Sequence, residues 1–293
     1  MTQEPLLRWP EPILAYLEFV GAFLAAGAIG FRYFVVRHAA GQGDPVNRAV
    51  YDDATQRAAV LGVLGAVLGL LHVATALPKV AARLETTVAG AVTGNLVPGA
   101  WVVLSVTALV GFAVAAARVR AGWPLAAIGV VVGSLREALA GHWLRLVNPV
   151  HLLAGGFWLG TLFVIIVAGV EVVLRHEHAR DRRTMVVDMI NAFSPLALVS
   201  ASVLVCFGAI TAVRHVKRLE VLFTTPYGWT LVAKLCLVAT VVAFGAWNWR
   251  YQRPRLGTDA GVVSIRRSSM SELGVAVLVL AVTAILVSLP VPR

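Results

Sequence analysis

Eight apolar runs of roughly twenty residues follow one another along this chain, and about twenty apolar residues is the length of helix that crosses the hydrocarbon core of a bilayer. They fall at about 12–36, 57–77, 98–118, 123–143, 149–174, 194–214, 227–249 and 271–289. The fourth is the least regular, because Arg136 and Glu137 lie near its end. Within the runs apolar residues do not alternate with polar ones, so the spans read as helices rather than strands of a barrel. Only 14% of the residues are charged, against about 25% in a soluble domain. The sequence therefore predicts an all-α, polytopic membrane bundle, one integral membrane domain over residues 1–293. No connection is long enough to fold as a soluble domain.

Proline marks several of the predicted ends: Pro12, Pro149, Pro226 and Pro290. Ser194-Pro195 has the form of an N-cap followed by proline at the first helical position. Gly62, Gly65 and Gly69 in the second span, and Gly155, Gly156 and Gly160 in the fifth, offer small surfaces for close helix contact. A net charge of +10 would suggest nucleic acid in a soluble protein. Here the basic residues sit in short connections, where they set orientation instead. Of 25 Lys and Arg residues, nine fall on the side of the N-terminus and fifteen on the opposite side, with Lys234 inside a span. The more basic side is then cytoplasmic, and both termini are expected on the periplasmic side. Glu4, Arg8 and two prolines within the first ten residues do not read as a cleavable signal peptide.

That orientation divides the histidines. His72, His142, His151 and His215 fall near the outer face, and His38, His176 and His178 near the cytoplasmic one. His176 and His178, in the run Arg175 to Arg180, read as solvated loop. Polar side chains at the rim of a bilayer-spanning bundle are costly to desolvate and are default candidates for a working site. His142 ends the fourth span and His151 opens the fifth, so their helices are expected to be neighbours. Imidazole is a good ligand for copper, zinc and haem iron. Interfacial hydrogen bonding is the plain alternative for each histidine.

Two intramembrane carboxylates accompany them. Glu137 lies about one turn before His142, where it could ligate a cation or pair with Arg136 or Lys234. Glu18 lies about two turns into the first span with no partner close in sequence, so its burial asks for an explanation. Cys206 and Cys236 are predicted at mid-bilayer depth, either as a soft-metal pair or as ordinary small buried residues. Four methionines, none in an outer cluster, do not suggest a thioether-lined Cu(I) path. Neither C-x-x-C-H nor a C-x-x-C pair occurs, so covalent haem and a cysteine zinc site are not indicated.

Several segments resemble the copper resistance D (CopD) family. Gly141-His142 and His151-Leu-Leu-Ala-Gly-Gly-Phe-Trp158-Leu-Gly160 are similar to its GHA and HLLAAALWLGG segments. The likeness continues through Phe193-Ser194-Pro195-Leu196-Ala197-Leu198-Val199-Ser200. It resumes at Thr225-Pro226-Tyr227-Gly228-Trp229-Thr230-Leu231-Val232-Ala233-Lys234-Leu235 and at Gly245-Ala246-Trp247-Asn248. These segments keep the family's order across residues 133–293, while residues 1–120 match only in hydropathy. The alanine of GHA is Trp143 here, and the outer face has no methionine-rich segment. The resemblance implies a multi-pass bacterial inner-membrane protein handling copper, often with a periplasmic copper-binding partner. It also implies His142, His151 and Trp158 as site residues, with Lys234 and Asn248 as polar positions inside the bundle.

The leading expectation is a copper-handling protein or permease, not an enzyme. Its outer-face site would be built on His142 and His151 with His72, and Glu18, Glu137, Trp158, Cys206, Cys236 and His215 would be secondary positions. One alternative is a b-type haem electron-transfer protein with His72 and His151 as axial ligands. Another is a non-catalytic membrane subunit that docks a partner. No nucleotide-binding loop, serine nucleophile motif or H-E-x-x-H is present in the sequence.

Overall fold

The computed structural model describes residues 7, 9–39, 45–175, 182–215, 221–252 and 259–290. Among them there is no strand. Seven helices are long and apolar enough to cross a membrane: Glu11–Ala39 (α1), Pro45–Arg83 (α2), Leu96–Ala116 (α3), Val147–Arg175 (α5), Arg182–His215 (α6), Pro226–Trp247 (α7) and Asp259–Ser288 (α8). Apolar helix Gly122–Ser134 (α4) stands where the fourth span is expected. Its 13 residues cover about 20 Å at 1.5 Å per residue, short of the roughly 30 Å of a hydrocarbon core. The predicted span runs to residue 143, but the chain leaves the helix at Leu135 and makes a single further turn, Arg136–Leu139.

Local chemistry explains most of the ends. Thr225 Oγ1 accepts a hydrogen bond from the Gly228 amide at 3.0 Å, and Pro226 follows at the first helical position. The parallel reading of Ser194-Pro195 is corrected. Helix α6 begins at Arg182 and carries Pro195 in its interior. The Ser194 hydroxyl bonds back to the Ile190 carbonyl at 2.9 Å, a role open to serine inside a helix as well as at its start. At the start of α2, Arg118 reaches Asp53 at 2.7 Å and Gln56 donates to the Ala116 carbonyl at 3.1 Å. These contacts satisfy the C-terminal end of α3.

The chain forms two compact units, one of residues Val20–Phe207 and one of Met1–Phe19 with Gly208–Arg293. In the larger unit α5 is the most buried of the membrane-length helices. It includes two π-helical stretches, Gly156–Gly160 and Ile165–Val170, and α1 includes a third, Phe31–Val36. Gly27 on α1 lies against the backbone of Gly160 on α5, and Gly160 lies against Phe23. A side chain at either position would run into backbone atoms, so α1 and α5 touch only because both are glycine. Gly69, in contrast, faces open space. In the smaller unit Tyr227 and Leu231 of α7 pack with Leu286 of α8 and with Leu289 just beyond its end, and Leu7 lies against them.

Gly160→Val is expected to lower thermal stability in detergent by about 1–3 kcal/mol, the usual range for overpacking. Gly69→Ala, which meets nothing within 4 Å, should leave the melting temperature unchanged or slightly raised. Equal effects of the two changes would refute the close contact.

Candidate metal-capture rim

The segment joining α4 to α5 carries the first of the predicted site residues. Arg136 follows the end of α4 and donates to the Gly133 carbonyl at 3.1 Å, a favourable place for a cation beside a helix C-terminus. Its guanidinium carbon lies 4.4 Å from the centroid of Trp101 on α3, within cation–π range. The same indole packs against the His72 ring of α2, with centroids 5.4 Å apart and a 58° tilt. Three elements thus meet through His72, Trp101 and Arg136.

The next turn depends on Gly141. Its φ of +75° is a conformation that suits glycine. The Gly141 amide donates to the Ala138 carbonyl at 3.0 Å and the His142 amide to the Glu137 carbonyl at 2.9 Å, the pair of bonds that closes a Schellman turn. This reversal carries His142 back over the carboxylate five residues earlier. His142 Nδ1 lies 3.4 Å from Glu137 Oε2, and Arg145 Nη1 lies 3.3 Å from the same oxygen. The imidazole remains about half exposed, at 47%, so water and dissolved ions reach it. A carboxylate facing one ring nitrogen holds that nitrogen as the donor and leaves the other as the ligating one. Glu137 is therefore placed to orient His142.

After the 3-10 turn Trp143–Leu146 the chain enters α5. His151 sits in the first turns of α5, partly exposed, with its Nδ1 buried. Trp158 is 8% exposed, inside the bundle in the π-helical stretch. His72, His142 and His151 are not gathered into one cluster: no group of three or more His, Cys, Asp or Glu able to hold a metal occurs among the described residues. The His72 ring, which a haem reading would require as an axial ligand, packs on Trp101.

The secondary positions differ from one another. Glu18 is half-buried on α1 and is engaged there. Cys206 and Cys236 are free thiols on exposed helix faces, which corrects the expectation of buried residues. His215 ends α6, and its side chain, with all of His176 and His178, lies outside the described residues. His38 bonds through Nδ1 to the Phe34 carbonyl at 2.9 Å.

Two features escape sequence reasoning. Trp101 and Arg136 have no motif to mark them, since they meet only in space. Glu272, at the start of the last span, is 3% exposed and accepts from Asn248 Nδ2 at 3.1 Å. Family resemblance points to Asn248 but not to the buried carboxylate it serves. Lys234 is half-buried on α7.

Gly141→Ala should cost about 1–2 kcal/mol, the penalty of the left-handed region for a residue with a Cβ. Gly141→Asn should recover part of it, because asparagine tolerates that region. Thermal melts of the two variants check this, and an unaffected alanine variant would contradict the turn.

Comparison with known proteins adds an independent line. Residues 187–286 match the family model described as Copper resistance protein D (CopD). The chain is 26% identical over 147 residues to the copper transport protein CutJ of Bacillus subtilis (strain 168), an alignment covering 50% of this chain and 25% of that relative. The chain thus aligns with only a quarter of its curated relative's length. No solved structure matches it.

Proposed function

We propose that this multi-pass membrane protein, whose residues 187–286 match the CopD family model, handles copper and moves the ion across the membrane as a permease. The observation that carries this reading is the turn at Gly141, which sets an exposed imidazole over a carboxylate at the head of the most buried helix. In this mechanism His142 captures the ion through Nε2 while Glu137 holds the ring, and Arg145 shares the carboxylate so that Glu137 is not itself the chief ligand. The ion then passes to His151, one to two turns into α5, with Trp158 deeper on the same helix. His72, backed by Trp101, lines the approach. Arg136 over Trp101 helps hold the rim together.

Imidazole suits either oxidation state of copper, and the rim supplies no thiol. The basic-residue count supports a periplasmic rim. A half-exposed histidine suits transfer from a periplasmic copper-binding partner, because ligand exchange needs an accessible nitrogen.

Alanine at both His142 and His151 is expected to abolish copper binding by the purified protein, measured by metal analysis and calorimetry. Glu137→Gln should weaken it roughly 10–100-fold, as loss of an orienting carboxylate typically does. Binding should also decline as pH falls, since protons compete with the metal for imidazole nitrogen. Unchanged stoichiometry and affinity in the double variant would reject the site.

A further inference from the structure

A crevice of about 680 Å³ opens between α1 and α4 in the larger unit, within the roughly 300–1,000 Å³ range of small-molecule sites. Its origin lies in how α4 packs. Gly122 and Gly129 lie against the backbone of Ala115 and Ala108 on α3, so α4 is drawn close to that helix. The flank that carries Ala127 and Val131 is left facing α1 across a gap. Phe157, in the first π-helical stretch of α5, forms the floor, and its ring meets Phe34 edge-on at 6.3 Å. The α1 wall runs from Ile29 through Phe34 to Arg37 and His38. From Ile29 to Arg37 is about 12 Å at 1.5 Å per residue.

The crevice is therefore amphipathic along its length. One end is aliphatic and aromatic, and the other carries a guanidinium and an imidazole, both exposed. The His38 ring is pinned by its Nδ1 contact with the Phe34 carbonyl at 2.9 Å, which leaves Nε2 for an outside partner. No carboxylate pairs with Arg37 among the described residues, whereas Arg118 is occupied by Asp53 at 2.7 Å. Phe34, Leu125 and Ile128, on the two helices that flank the opening, are large apolar side chains with 42%, 41% and 49% exposure. Such surfaces belong against acyl chains. A cation with no carboxylate beside it among the described residues, at the mouth of an apolar slot, selects a ligand with a negative head and a hydrocarbon tail.

We infer that this crevice binds one anionic phospholipid, its phosphate on Arg37 and His38 and one acyl chain along Phe34, Ala127, Val131 and Phe157. Arg37 also lies on the side that the basic-residue count assigns to the cytoplasm, where anionic lipid is attracted to basic residues. A bound lipid would fill the space between α4 and α1, and it would brace the π-helical stretch of α5 through Phe157. The inference is independent of the copper reading.

The test is native mass spectrometry of the full chain in mild detergent, titrated with phosphatidylglycerol or phosphatidylcholine of identical acyl chains. The wild type should retain one phosphatidylglycerol at about tenfold lower concentration than phosphatidylcholine, the order expected from two basic groups. Arg37→Ala with His38→Ala should erase that preference. Ala127→Trp, which fills the slot but keeps both basic groups, should prevent retention of either lipid. Circular dichroism and copper binding should match wild type in both variants. Equal retention of the two lipids by the wild type would overturn the inference, as would phosphatidylglycerol retention unchanged in both variants. Displacement of the lipid by millimolar inorganic phosphate would also overturn it, by making the acyl chain irrelevant.

Discussion

Inside a bilayer, lipid tails are as apolar as the helices they surround, so burial of apolar surface does little to bring helices together. What holds the larger unit is close backbone contact, and the contact of α1 with α5 at Gly27 and Gly160 is its centre. The π-helical stretches lie beside it, at Phe31–Val36 on α1 and Gly156–Gly160 on α5. Local widening of this kind recurs at functional positions in helices. Here it accompanies a buried Trp158 and a fully buried Phe31. Without the glycine contact neither helix could approach closely enough to bury such residues.

The rim works on a different principle. A 13-residue helix leaves chain over at one end, and the polar segment Arg136–Leu146 occupies it. The polar groups there are placed individually, with Arg136 on a helix-end carbonyl and an indole, and Glu137 under His142 and Arg145. Exposed ion pairs of this kind contribute little stability. Their value is in orientation, because a ring held by one nitrogen presents the other in a defined direction. The crevice lies on another flank of the same helix, where glycine contacts draw α4 toward α3 and leave a gap beside α1.

How much of this was legible depended on the range of the interaction. Gly141-His142 could be read as a site because a glycine turn acts over five residues, and Thr225-Pro226 as a helix start because a cap acts over three. Ser194-Pro195 carries the same local signal as Thr225-Pro226, yet it lies within α6, since the apolar sequence on either side keeps the helix continuous. The pairing of His72 with Trp101, and of Asn248 with Glu272, joins residues on different helices. No spacing in the sequence encodes such meetings. The cysteines do lie in apolar helices, as their sequence surroundings imply, but the face each presents depends on what its unit packs inward.

The apolar runs by themselves determined that the chain is a multi-pass helical protein and where nearly all its helices lie, because a backbone in hydrocarbon must satisfy its hydrogen bonds internally. Which side chains meet was decided only in the folded bundle. Helix rotation and the approach permitted by small residues are collective outcomes of packing, and they brought His72 onto Trp101 and left a slot beside Arg37.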